Sequence, residues 1–306
     1  MCLKPWFNTK TGKTTPCGGC IGCRMDEQRL WTERTKSEMK KGRNAFLTLT
    51  YDEEHLHYKD GGLQASLDKE GIKKWLDNAK HQVKELERKK LLPEGCRGKF
   101  AYYLIGEYGG TFQRPHYHAI MLGLDWHDCQ GIFKKLWKNG MIKSLPLEAG
   151  SIRYVLDYSM KNINGKLAEE MYDRRGVERP FRLTSKGYGK DYIASKAEEI
   201  NRTGYIMSGN RKIIIPSYYK NMYLRYDEES IQSREAEKLE ILRKRRERAN
   251  GQGRTLEEDA EAERKAKQEA EKEKMRRQNK KIEIEYYNDW WQTAESILAN
   301  EALNEI

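Results

Sequence analysis

The sequence predicts an α+β protein, a sheet with flanking helices, preceded by a cysteine-rich segment and followed by a long charged helical extension. Three observations predict it. Strand-like runs of β-branched, aromatic and alternating residues occupy 44–51, 100–106 and 115–124. Between the first two, Leu67, Ile72, Trp75, Leu76, Ala79, Val83 and Leu86 recur at helical spacing, which predicts a helix from Leu67 to Lys90. From Asp227 onward apolar residues become rare, and Ala, Glu, Lys and Arg favour a solvated helix.

Taken in order, residues 1–24 read as a hairpin tied by a metal, and Asp26 to Lys41 as a basic amphipathic helix. In the strand 44–51, Phe46, Thr48 and Thr50 alternate with Leu47, Leu49 and Tyr51, so its two faces differ in character. Pro93 and Gly95 are expected to end the long helix. After the strand at 100–106, a Gly109-Gly110 turn leads into the strand 115–124. A short helix is expected over Cys129–Lys138 and a strand over Met141–Leu145. Ser151 is placed to cap a helix carrying Tyr154 and Tyr158. Residues 165–220 read as loops and short strands around a groove. Glu228 to Lys281 is almost wholly polar, broken at Gly251-Gln252-Gly253, and lacks the apolar heptads of a coiled coil. The expected division is 1–24, 25–226 and 227–306.

Charged residues make up 34% of the 306 positions and apolar ones 37%, so the core must be concentrated in part of the chain. The 58 Lys and Arg exceed the 47 Asp and Glu, and the net charge of +11 suits a polyanionic partner. No run approaches the roughly 20 apolar residues that span a bilayer. The first residues have no signal-like apolar segment, so a reducing cytoplasm is expected. There, clustered cysteines favour metal binding over disulfides. Cys17, Cys20 and Cys23 form Cys-x-x-Cys-x-x-Cys, with Cys2 as a possible fourth ligand. Four thiolates suit tetrahedral Zn²⁺; an iron–sulfur cluster or a plain thiol-rich turn would fit the same spacing. Cys96 and Cys129 read as packing residues.

The most informative stretch is Gln113-Arg114-Pro115-His116-Tyr117-His118-Ala119-Ile120. Alternation along a strand puts His116 and His118 on one face, aimed at one point, as a divalent metal site requires. A hard ion such as Mg²⁺ or Mn²⁺ also wants oxygen, and Glu107, nine positions before His116, is the candidate. On a helix, Tyr154, Tyr158 and Lys161 share a face. Histidine pairs and tyrosine pairs are individually weak signals; their order along this chain makes them a specific set. A free tyrosine, with a pKa near about 10, needs a metal or a cation such as Lys161 to become a nucleophile at neutral pH. Arg114, Lys186, Tyr188, Lys190, Arg211, Lys212, Tyr218 and Tyr219 mix basic and aromatic side chains in the manner of a single-strand binding groove.

The threonine strand, the His-Tyr-His strand and the Tyr-x-x-x-Tyr-x-x-Lys helix together resemble the HUH endonucleases. The early Cys-Gly-Gly-Cys-Ile-Gly-Cys-Arg, Gly106-Glu107-Tyr108-Gly109 and Ile215-Pro216-Ser217-Tyr218-Tyr219 resemble the replication initiators of gokushoviruses, in the microvirus family. The resemblance covers roughly residues 1–225; Leu156-Asp157 stand where related proteins often have small residues. It implies an RRM-like fold with a central antiparallel sheet. It also implies nicking and joining of single-stranded DNA at an origin through a 5′-phosphotyrosine, starting rolling-circle replication in the cytoplasm of a bacterial host. A single-stranded DNA origin and host polymerase and helicase are the implied partners, with no membrane. A relaxase or transposase of the same superfamily would use the same chemistry, although no Gly-x-x-x-x-Gly-Lys-Ser/Thr helicase motif is present. A non-catalytic zinc-dependent nucleic-acid-binding protein would need only the cysteines.

Overall fold

The computed structural model describes residues 6–8, 13–17, 21–39, 43–59, 64–92, 100–109, 112–158, 168–209, 211–213, 215–259 and short stretches between 261 and 273. The chain divides into two compact units. One lies within 34–189; the other draws on residues before 34 and after 189.

The first unit is built on strands β3 (Asn44–Tyr51), β4 (Ala101–Tyr108), β5 (Pro115–Leu122), β6 (Gly140–Pro146) and β7 (Phe181–Thr184). They form one five-stranded sheet in the order β6-β3-β5-β4-β7, with every neighbouring pair antiparallel. The α+β reading of the sequence holds. Helix α2 (Lys69–Arg88) buries Ile72, Trp75, Leu76, Ala79 and Val83 in one apolar cluster with Leu47 and Leu49 of β3 and Tyr117, Ala119 and Met121 of β5. Asp68 caps this helix, its carboxylate accepting from Gly71 N at 2.7 Å. The helix stops before Pro93: Lys90 turns left-handed (φ 57°), and Leu91 N donates back to the Leu86 carbonyl at 2.8 Å. Helix α3 (Trp126–Phe133) starts earlier than composition suggested because Asp125 caps it, accepting from Asp128 N at 3.1 Å. Cys129 is fully buried there, as a packing residue.

Tyr117, between the two histidines, fixes the orientation of β5. It is fully buried on the α2 side of the sheet, and its hydroxyl accepts from Asp68 N at 2.9 Å and donates to the Asp68 carbonyl at 3.1 Å. The Tyr51 hydroxyl lies 2.8 Å away. The period of a strand then commits His116 and His118 to the opposite face. Helix α4 (Ala149–Tyr158) packs on that face. Ser151 is not its cap. Ile152 N already donates to the Glu148 carbonyl at 3.0 Å, so the helix begins one turn earlier than expected.

The second unit contains the β1 (Trp6–Asn8) and β2 (Lys13–Thr15) hairpin, the first part of α1 (Ile21–Met39), α5 (Lys190–Ala194), α6 (Ala197–Thr203), the β8 (Ile206–Ser208) and β9 (Arg211–Ile213) hairpin, α7 (Ser217–Tyr223) and α8 (Glu228–Gly251). Its core joins Leu30 of α1 to Tyr192, Ile193, Ile200, Ile206, Ile213, Ile215 and Tyr219. That shared core explains why the units divide at 33/34 and 189/190, whereas composition suggested 24/25 and 226/227. Asp227 caps α8 through Ser230 N at 2.9 Å, and α8 is tied to α6 by Arg202–Glu237 at 3.2 Å. Among the described residues, no helix is long and apolar enough to cross a membrane.

Candidate metal centre and the tyrosine beside it

Three strands set the site. In the sheet register His118 lies between Thr48 of β3 and Ile105 of β4, and His116 lies between Thr50 and Glu107. His116 Nε2 is 3.0 Å and His118 Nε2 3.1 Å from the same carboxylate oxygen, Glu107 Oε1. Ligand atoms of the three residues all lie within 4.8 Å of one another. Both Glu107 and His118 are buried, and His116 is half-buried.

The second nitrogen of each ring is also engaged. His116 Nδ1 lies 3.1 Å from the Arg114 carbonyl, which can only accept, so Nδ1 carries a proton and Nε2 points its lone pair at Glu107. His118 Nδ1 sits 3.0 Å from Thr48 Oγ1. Burial opposes protonation of His116, but the hydrogen bond and charge of Glu107, helped by the Arg114 carbonyl, outweigh it and raise its pKa above the ordinary histidine value.

The residues fit a divalent cation. Glu107 Oε2 is buried with no hydrogen-bond partner among the described residues. A buried carboxylate facing two imidazoles in this way is costly without a cation to share. An octahedral ion about 2.1 Å from each ligand sets neighbouring ligands about 3.0 Å apart, close to the separations seen here. Two nitrogens and a carboxylate suit several divalent metals, so the cluster can hold an ion without naming it.

Tyr154 stands beside this cluster. Its ring centroid is 5.2 Å from that of His118, edge to face, and 6.4 Å from that of Phe46. It is 43% exposed, so it is neither in the apolar interior nor on the far side of the sheet. Buried Ile152, Val155 and Leu156 fasten α4. Tyr158 ends α4, but its side chain, and all of Lys161, lie outside the described residues.

The remaining candidates separate. Arg114 is committed to structure: its guanidinium pairs with Glu53 and donates to the Tyr51 carbonyl at 2.9 Å. Lys186 is exposed. Tyr188 does not offer a stacking face. It is 2% exposed, and its hydroxyl lies 2.9 Å from Thr35 Oγ1, while its carbonyl accepts from Arg34. Tyr219 is likewise packed into the second unit's core at 7% exposure, leaving Tyr218, 64% exposed, as the accessible member of that pair. Lys190 and Lys212 are exposed in the same unit, Lys212 with its Nζ 4.1 Å from the Tyr205 ring centroid. The Arg211 side chain lies outside the described residues, as do Cys2, Cys20 and Cys96. Of the cysteine cluster, Cys17 is exposed and Cys23 is half-buried in the first turn of α1. Sequence reasoning missed the exposed row on β6; its signal was the alternation Met141-Ile142-Lys143-Ser144-Leu145.

Comparison with known proteins points the same way. Residues 44–163 match a family model of replication-associated proteins of the ORF2 type. The chain is 29% identical over 229 residues to replication-associated protein VP4 of Bdellovibrio phage phiMH2K, covering 68% of this chain and 67% of that one. It is 27% identical over 226 residues to replication-associated protein ORF2 of Spiroplasma virus 4, covering 67% and 66%. It is 24% identical over 228 residues to replication-associated protein ORF4 of Chlamydia phage 1, covering 68% and 53%. The chain thus spans about two thirds of the length of the first two relatives and about half of the third. No solved structure gives a significant match.

Proposed function

We propose that this chain, which belongs with the phage replication-associated proteins, is a metal-dependent endonuclease that nicks and rejoins single-stranded DNA at an origin to start rolling-circle replication. The observation that carries this reading is the exposed Tyr154 ring set 5.2 Å from a histidine of a metal-competent cluster.

Glu107, His116 and His118 would hold the cation, with Mg²⁺ or Mn²⁺ as the expected ions. When bound, it neutralises charge on the scissile phosphate and polarises its oxygens. The protein's own groups do the rest. The Arg114 carbonyl and Thr48 hold the imidazoles in one tautomer and orientation. The hydroxyl oxygen of Tyr154 forms a bond to phosphorus as the bond to the 3′ oxygen breaks. The phenol's proton goes to solvent, and the departing oxygen takes one up as a 3′-hydroxyl. The 5′-phosphotyrosine stores the bond energy, so rejoining needs no ATP. The 3′-hydroxyl can prime a host polymerase, with a host helicase opening the duplex ahead. Tyr158, four residues on, is the proposed second nucleophile for the cut that ends a round of copying, with Lys161 assisting one of the two phenols. The setting is the cytoplasm of the bacterial host.

The test uses a labelled origin oligonucleotide, Mn²⁺ and a denaturing gel. Wild type should give a covalent adduct and Tyr154→Phe plus Tyr158→Phe none. Cleavage retained by the double variant would identify a hydrolytic nuclease instead.

A further inference from the structure

The side of the sheet that carries the metal cluster is closed in one direction and open in the other. Toward β4, Tyr103 and Ile105 are buried. Toward β6, the face is open: Met141 is 63% and Leu145 38% exposed, with exposed Lys143 between them. The register places this row relative to the cluster. Thr48 pairs with Lys143 on one side and His118 on the other, and Thr50 pairs likewise with Met141 and His116. Residues paired in register share a face, so Met141 and Lys143 stand on the histidine side, two strand spacings or roughly 9.5 Å from β5.

A lysine on an edge strand is by itself a common guard against sheet-to-sheet pairing. That role does not call for two large apolar side chains in solvent on either side of it. Ile142 and Ser144, the intervening residues, are each 5% exposed, so the exposure is confined to one face. An ammonium flanked by apolar groups, continuous with a site for a phosphodiester, matches a nucleotide: an anionic phosphate beside an apolar sugar and base. Lys143 makes no ion pair among the described residues and so has its charge available for such a phosphate.

We propose that the row Met141, Lys143, Leu145 on β6 seats the nucleotide adjoining the scissile phosphate of a single-stranded DNA. Lys143 takes that nucleotide's phosphate, while Met141 and Leu145 carry its sugar and base. This rests on the nicking reading and adds to it the path of the strand, which runs from the cluster over Thr48 and Thr50 to the β6 edge.

The test measures binding of a fluorescent single-stranded oligonucleotide to the full chain across a salt series, alongside adduct formation with Mn²⁺. Lys143→Ala should weaken binding and reduce the slope of log affinity against log salt by about 0.7, the share of one phosphate contact on a single strand. Lys143→Arg should restore the slope, and Met141→Ala should weaken binding without changing it. Lys84→Ala, on the exposed side of α2, should leave both unchanged. An unchanged slope in Lys143→Ala overturns the path, whether or not wild type forms an adduct. A reduced slope in a protein that forms no adduct supports the path and overturns the nicking. If wild type fails to bind the oligonucleotide, both fall. If the variants instead dissociate a dimer and leave DNA binding untouched, the row is a contact between copies and the path is overturned.

Discussion

Glu107 on β4 and His116 on β5 are paired in register, and Glu107 Oε1 and His116 Nε2 stand 3.0 Å apart. Neighbouring strands hold them, so their separation depends on sheet hydrogen bonds and not on a mobile loop. Glu107→Gln keeps the shape and removes the charge. It should weaken Mn²⁺ binding at least tenfold, about 1.4 kcal/mol, by titration calorimetry. The rise in thermal midpoint that Mn²⁺ gives wild type should shrink with it.

His116→Ala should abolish adduct formation and leave single-strand binding largely intact. Parallel gel and anisotropy measurements check this. Loss of both would mark His116 as a structural residue.

Tyr154→Phe removes one hydroxyl from a position that is 43% exposed. Its stability in urea should stay within about 0.5 kcal/mol of wild type. Its rate of adduct formation should fall at least tenfold, with any residual adduct mapping to Tyr158 by peptide sequencing.

Tyr51 supplies a pH prediction. Burial dominates, and with the nearby Asp68 charge it outweighs the Tyr117 hydrogen bond and pushes the phenol up to about 12. An unfolded tyrosine ionises near about 10. The stability tied to the protonated phenol is therefore complete below about pH 10 and is lost as pH rises through about 12. Denaturant melts across that window should show the loss, and Tyr51→Phe should lessen its steepness.

Zinc in the N-terminal segment is testable by elemental analysis. The purified protein should carry stoichiometric zinc, and Cys17→Ser with Cys20→Ser should release it. Chelation should loosen that segment, seen as new proteolytic cleavage before residue 24.

The histidine strand was legible because alternation and the catalytic pattern coincide in a few residues. Likewise β3 matched its expected bounds, Asn44–Tyr51, since its two faces differ in polarity. The start of α4 was not legible: backbone bonding to Glu148 set it, and Ser151 only looked like a cap. Tyr188 and Tyr219 were misread because a basic, aromatic neighbourhood does not say which ring turns inward. That depends on partners distant in sequence, such as Thr35, which lies 153 positions from Tyr188. The division between units was equally hidden, since Leu30 joins a core made of residues beyond 189.

The Tyr117 hydroxyl, clasped by both backbone groups of Asp68, acts as a ratchet stop for β5. A slide by a single position would turn both imidazoles into the oily layer beneath α2 and lift an aromatic ring into water. Misalignment of this kind has no half-active product. Quality control of folding and the capacity to break DNA are therefore enforced by one hydroxyl on the far side of the sheet.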